Sequence, residues 1–199
     1  MFELAEYIGI IAFSMSGFFV AVRNKLDLLG VLIATFLTAL GGGIMRDITV
    51  DKIPFTFSHT YPALMVILVM LTLIIFRFHK RNSLENKPLF ILSDSIGLVS
   101  FSISGALIAI DVEFNLAGVI AMAFLTAVGG GIVRDVIINE VPFVLKTGFY
   151  GTVSIVIALV LYLLHMQNFI NFTTISALFI AALSLRLLAY YKKWSIPLK

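Results

Sequence analysis

The sequence predicts an all-α membrane protein of seven transmembrane helices, built as two inverted three-helix repeats plus a seventh helix. Three observations predict it. Apolar runs long enough to cross a bilayer recur along the chain, a fifty-residue segment occurs twice, and each copy opens a unit of three spans, an odd number. The 199 residues are 60% hydrophobic and 13% charged, with mean hydropathy +1.07. So few charges cannot cover the surface of a soluble domain of this size, whereas about 18 or more apolar residues suffice for a bilayer span.

Seven spans follow in order: Glu6–Val22, Leu28–Val50, Tyr61–Phe78, Phe90–Ile110, Leu116–Ile138, Gly148–His165 and Phe169–Tyr190. The first has neither a positive n-region nor a small-residue cleavage site, so it reads as a span and not as a removed signal peptide. The second and fifth carry glycine triplets. The organisation expected is one membrane domain over 1–199, with a first repeat at 6–87, a second at 90–166, and a seventh helix with a basic tail at 168–199.

Basic residues mark alternate loops. Arg23 and Lys25 follow span 1; Arg77, Lys80, Arg81 and Lys87 separate spans 3 and 4; Lys192, Lys193 and Lys199 close the chain. The loop after span 4 carries Asp111 and Glu113 instead, and the loop after span 6 has no Lys or Arg. The positive-inside rule then places the N-terminus outside and the C-terminus in the cytoplasm. The basic tail reads as a juxtamembrane stop signal in contact with anionic lipid, not as a nucleic-acid site. No cysteine is present, which excludes disulfides and thiolate metal sites.

A shift of 88 residues lays Glu6–Phe55 over Asp94–Phe143 without a gap, and 22 of those 50 positions are identical. The shared residues include Gly41-Gly42-Gly43 with Gly129-Gly130-Gly131, Arg46-Asp47 with Arg134-Asp135, and Pro54-Phe55 with Pro142-Phe143. Phe13-Ser14 with Phe101-Ser102, Ser16-Gly17 with Ser104-Gly105, and Phe36-Leu37-Thr38-Ala39 with Phe124-Leu125-Thr126-Ala127 complete the pattern. Three spans per repeat make successive repeats enter the membrane from opposite sides. This is the plan of transport proteins, whose path lies at the repeat interface; span 7 covers or tethers the bundle.

Each glycine triplet admits two readings. Glycine costs a helix about 1 kcal/mol per residue relative to alanine, so a triplet can kink a pore helix and free carbonyls for a cation. It can also be a notch where helices pack closely. Two triplets at matching points, each just ahead of charges, favour kinked pore helices. By rise per residue, Gly42 lies about 21 Å into span 2, and Arg46 and Arg134 lie roughly 20 Å or more apart in depth. That separation argues against an Arg46–Asp135 bridge. Neighbouring residues do not face each other on a helix, so each arginine is expected to pair away from its adjacent aspartate. Arg46, Asp47, Arg134 and Asp135 are candidate pore-mouth charges; the alternative is snorkelling at the interface.

Ser14, Ser102, Thr38 and Thr126 are candidate pore hydroxyls, against the alternative that they satisfy i−4 carbonyls. Glu6 and Asp94 read as helix-dipole partners at the starts of spans 1 and 4. His59, His79 and His165 are too scattered for a metal site. No nucleophile–base set or phosphate loop appears, so neither an enzyme nor a cofactor is expected. The metal expectation is likewise none, apart from transient K⁺ or Na⁺ at the glycine kinks.

The paired Gly-Gly-Gly-Ile-x-Arg-Asp motifs, the Phe-Ser-x-Ser-Gly segments and the seven-span plan resemble the trimeric intracellular cation (TRIC) channel family. The resemblance is to its bacterial and archaeal branch, also filed as glycine-transporter-domain proteins, and runs from Glu6 to about Tyr190. It implies a homotrimer in the cytoplasmic membrane, with one pore per protomer lined by the helices of spans 2 and 5, passing K⁺ and Na⁺. The lysine-rich phosphoinositide segment of the animal branch has no counterpart beside span 4. The alternative function is a secondary carrier of glycine or another small amino acid, because carriers also use inverted repeats with broken helices.

Overall fold

The computed structural model describes residues 2–80, 83–146 and 149–194; Arg81, Gly148 and Lys199 lie outside them. All regular structure there is helical. Five helices are long and apolar enough to cross a membrane: α1 (Phe2–Arg23), α2 (Leu28–Thr49), α5 (Ser83–Asp111, apolar from Lys87), α6 (Leu116–Ile137) and α9 (Phe172–Tyr191). Short helices α3 (Phe55–Ser58) and α7 (Phe143–Lys146) follow α2 and α6.

Spans 3 and 6 of the sequence reading appear as shorter apolar helices, α4 (Tyr61–Ile75) and α8 (Gly151–Met166), of 15 and 16 residues. At 1.5 Å per residue they are about 22–24 Å long, short of a typical hydrocarbon core of about 30 Å. The expected span 3 runs too far because Phe76–Phe78 leaves the helix through a left-handed residue, Arg77 (φ 57°).

The repeat is visible in the backbone as well as in the letters. The side chain of Asp27 accepts from Gly30 N (2.7 Å) to start α2, and that of Asn115 accepts from Gly118 N (2.9 Å) to start α6. These N-caps occupy equivalent positions and satisfy a donor that the helix itself cannot. The exits match too. Lys25 and Glu113, and Asp51 and Asn139, are equivalent pairs, and all four adopt φ of 56–59°. Leu26 N bonds Ala21 O, as Phe114 N bonds Ala109 O, the long bond of a left-handed helix cap.

Helices α1 and α5 pack antiparallel at the centre: Ser16 of α1 bonds Asp94 of α5, and Ser104 of α5 bonds Glu6 of α1. Phe13 and Phe101, another equivalent pair, stack with ring centroids 5.3 Å apart between them. Two ion pairs tie the repeats at opposite ends. Arg23 Nη2 reaches both oxygens of Glu140 (2.9 and 2.8 Å), and Lys52 faces Asp111 at 3.7 Å. Positions 23 and 111 are equivalent, as are 52 and 140, so the first repeat supplies both cations and the second both carboxylates. Around Glu140 burial works to raise its carboxyl, but the Asn24 amide and the Arg23 guanidinium outweigh it and hold it below the usual carboxylate range.

Helices α2 and α6 cross at the glycine triplets. A Cβ on Gly41 would meet Gly130 Cα at 3.2 Å, a Cβ on Gly130 would meet Thr38 O at 2.5 Å, and a Cβ on Gly42 would overlap the Thr126 carbonyl. Both helices run through their triplets without interruption, and among the described residues no glycine takes positive φ. The triplets therefore do not break the helical ladder, and no carbonyl is freed by an interruption there. The helices stay continuous because the energy lost to glycine's poor helix propensity is offset by direct backbone contact between α2 and α6.

Candidate functional site

Two buried polar networks flank this crossing. In the first, Arg46 Nη1 bonds Glu6 Oε2 (2.5 Å) and Ser104 Oγ (2.6 Å), and the Ser104 hydroxyl donates to Glu6 Oε2 (2.7 Å). Arg46 Nε bonds Asp47 Oδ1 (2.8 Å), and its guanidinium lies 5.0 Å from the Phe2 ring centroid. Asp47 then uses Oδ2 to accept from Phe55 N (2.8 Å). That bond explains the motif spacing: the carboxylate closes the loop back onto the residue after Pro54, which opens α3.

The second network repeats this design. Arg134 Nε bonds Asp135 Oδ1 (2.8 Å), and Phe143 N bonds Asp135 Oδ2 (2.7 Å). Ser16 donates to Asp94 Oδ1 (3.0 Å), as Ser104 does to Glu6. Asp94, however, is one methylene shorter than Glu6. It does not reach Arg134, and Arg134 Nη1 and Asp94 Oδ2 have no hydrogen-bond partner among the described residues. A further cation enters here from outside the repeat. Arg186 of α9 is 1% exposed, and its guanidinium stacks 4.7 Å from the Tyr150 ring centroid and 5.8 Å from that of Tyr190. Asp94 lies within electrostatic reach of both Arg134 and Arg186.

Two expectations are corrected and one alternative, snorkelling, is set aside. Each arginine does pair with its adjacent aspartate, because a long guanidinium arm folds back where the aspartate is already held by the loop amide. Arg46 and Arg134 are 0% and 2% exposed, so they do not snorkel. Glu6 and Asp94 are not simple dipole partners: α1 starts at Phe2 and α5 at Ser83, and both carboxylates sit inside the networks. Glu6 and Ser16 are ten residues apart on α1 and belong to different networks, a separation of about 15 Å along the helix. No Arg46–Asp135 ion pair occurs among the described residues.

The four candidate hydroxyls are buried and donate to i−4 carbonyls: Ser14 to Ile10 O (2.6 Å), Thr38 to Ala34 O (2.6 Å), Ser102 to Leu98 O (2.7 Å) and Thr126 to Met122 O (2.7 Å). Thr38 and Thr126 also place their carbonyls against the opposite triplet. The sequence reading missed Arg186 and Tyr150. The signal was available for the first: Arg186 is the only charged residue in span 7, and an ionisable residue inside a span is a functional candidate by default.

A cavity of about 550 Å³ reaches the first network from the end where α1 begins, touching Phe2, Arg46, Asp47, Lys52, Phe55 and Asp111. A cavity of about 430 Å³ at the opposite end is lined by Phe18, Val22, Lys25, Leu26, Val31 and His79 among others, and touches neither Arg134 nor Asp135. The first cavity brings one side of the molecule into contact with the Arg46–Asp47 pair. Among the described residues no cluster suited to a metal ion occurs.

Known proteins share this plan. The family model described as "Glycine transporter" matches twice, over residues 3–78 and 91–166. The UPF0126 membrane protein YvgT of Bacillus subtilis is 35% identical over 98% of this chain and 95% of its own length. The UPF0126 inner membrane protein YadS of Escherichia coli is 33% identical over 76% of this chain and 72% of its own. A structure described as the structural basis for conductance through TRIC cation channels superposes with TM-score 0.87 at 36% identity, covering 100% of this chain and 97% of that one. A TRIC orthologue from Rhodobacter sphaeroides gives TM-score 0.87 at 26% identity, over 97% and 98%.

Proposed function

We propose that this chain, which belongs to the trimeric intracellular cation channel family, is a monovalent cation channel passing K⁺ and Na⁺. The reading has one pore in each protomer of a homotrimer, running along α2 and α6. Its two halves are three-helix repeats inserted in opposite directions, with α4 and α8 as the third and sixth of seven crossings. The N-terminus faces outward and the basic C-terminus the cytoplasm.

The observation that carries the reading is the pairing of two buried Arg–Asp networks about one glycine crossing, with a charged cavity descending to the first. A bilayer interior tolerates such groups where they pair with one another or face a water-filled path. The carboxylates of Asp47 and Asp135 favour cations at the two mouths. Gly41–Gly43 and Gly129–Gly131 let α2 and α6 meet at the narrowest point. A channel opens by parting that contact, and the hydrogen bonds from Asp47 to Phe55 and from Asp135 to Phe143 hold the helix ends while it is closed. Thr38 and Thr126 stand beside the crossing with hydroxyl oxygens that retain free lone pairs, as do Ser14 and Ser102 one helix away.

The family description as a glycine transporter supports a second reading, a carrier for glycine or another small amino acid. Proteoliposomes separate the two. A channel gives ion flux that rises linearly with KCl and is indifferent to glycine. Saturable uptake of labelled glycine, without ion flux in its absence, supports the carrier and overturns the channel.

A further inference from the structure

Helix α9 stands outside the repeat, yet it brings a buried charge within electrostatic reach of one of the two networks. Count the charges at each. The first has one arginine, Arg46, against two carboxylates, Glu6 and Asp47. The second has Arg134 against Asp94 and Asp135, the same balance when both carboxyls are ionised, until Arg186 is added. The duplicated core by itself leaves each network with one excess negative charge. Arg186 cancels that excess at one of them only.

We propose that Arg186 is the residue that breaks the electrical symmetry of the pore and so sets the direction in which it rectifies. The inference rests on the channel reading. Arg186 acts through its field, not by touching the permeating ion. It is 1% exposed, held between the Tyr150 and Tyr190 rings, and its guanidinium nitrogens make no hydrogen bond among the described residues. The field of a guanidinium, cationic by its own chemistry, is poorly screened here because burial shields it from salt. Cations therefore meet a net negative network near Arg46 and a neutral one near Arg134.

Surface charge also differs between the ends. Asp51, Asp111 and Glu113 lie on the first side, and Arg77, Lys80, Lys192 and Lys193 on the other; all are exposed. Salt separates the two sources. At 1 M the Debye length is about 3 Å, so the exposed charges fade while the buried networks remain. The rectification left at 1 M KCl is the part Arg186 controls. One unit charge acting across about 10 Å of water-like dielectric changes a local ion population about twofold, which sets the expected ratio of the two conductances.

The test is single-channel recording of the full chain in symmetric 1 M KCl. Orientation is fixed by Gln167→Cys, exposed on the first side and labelled from one chamber; the chain has no cysteine of its own. The parent should pass about twice the cation current entering from the Arg46 side. Arg186→Met should bring the ratio to about one, and Arg186→Lys should restore it. Glu6→Gln, which removes the excess charge at the other network, should also bring it to about one, and carries the test if Arg186→Met does not assemble. The double variant should reverse the direction. A parent ratio of one at 1 M, an unchanged ratio in Arg186→Met, or a lysine variant that behaves like methionine overturns the inference. A parent with no cation current overturns the channel reading beneath it.

Discussion

Replacing the crossing glycines by alanine should sort them by geometry, not by helix propensity. If the triplets only weakened their helices, every Gly→Ala change would stabilise by up to about 1 kcal/mol. The structure says otherwise. Ordinary carbon contact begins near 3.4 Å, and a Cβ on Gly130 would stand 2.5 Å from Thr38 O and 2.7 Å from Leu37 O. Both obstacles are backbone, so α2 and α6 must part by about 0.9 Å to accept it, and by more for Gly42. Overpacking of this kind costs about 1–3 kcal/mol, which exceeds the propensity gain. Gly131 is the internal control: its Cβ would meet only Arg134 Nη2, at 3.8 Å. We expect Gly42→Ala and Gly130→Ala to destabilise by about 1–2 kcal/mol net, and Gly131→Ala to be neutral or stabilising. For a chain of this length that is a fall of about 2–8 °C in the melting midpoint, read by thermal size-exclusion in detergent. Equal midpoints for Gly42→Ala and Gly131→Ala, or a rise for both, would refute the close crossing.

The networks and the inter-repeat ion pairs give further expectations. Asp47→Asn should reduce cation entry at the first mouth and Asp135→Asn at the second, so their single-channel current–voltage curves at low salt should bend in opposite directions; bending in the same direction would contradict the inverted placement of the repeats. Ser104→Ala deletes a hydroxyl that both accepts from Arg46 and donates to Glu6, and should cost about 1–3 kcal/mol because charged groups lose partners; thermal melts that match the parent would count against the network. The Arg23–Glu140 pair is partly exposed and should be worth about 0.2–1 kcal/mol, measurable as the coupling in an Arg23→Ala, Glu140→Ala cycle. Because the folded Glu140 carboxyl titrates below its ordinary value, its contribution is full above the usual carboxylate range and is lost as pH falls through the folded value. Glu140→Gln should therefore flatten the acid limb of the stability profile, and an unaltered limb would show that the pair is idle.

Much of this was written in the residues. The 88-residue shift was legible in the sequence, and the structure adds equivalent N-caps at Asp27 and Asn115 and shared left-handed exits at positions where the residues themselves differ. The glycine triplets were found and both readings of them stated, but the weight fell on kinks and not on the packing notch, since propensity describes a helix alone and these glycines answer to a second helix lying against them. The adjacent Arg–Asp pairing was missed for a related reason. Helix periodicity governs where Cβ atoms point, while the Asp47 and Asp135 carboxylates are positioned by loop amides eight residues on, at Phe55 and Phe143. Glu6 and Asp94 were assigned to helix ends that the structure places four and eleven residues earlier. Arg186 has no repeat partner, so the argument from duplication could not reach it.

Cation selectivity itself is the central claim, and a reversal potential tests it most directly. Purified protein in a planar bilayer under a tenfold KCl gradient should reverse near the K⁺ equilibrium value, about 59 mV from zero on the cation side, and replacing K⁺ by Na⁺ should preserve the current. Reversal at zero, or on the chloride side, would contradict a cation pore built around these two networks.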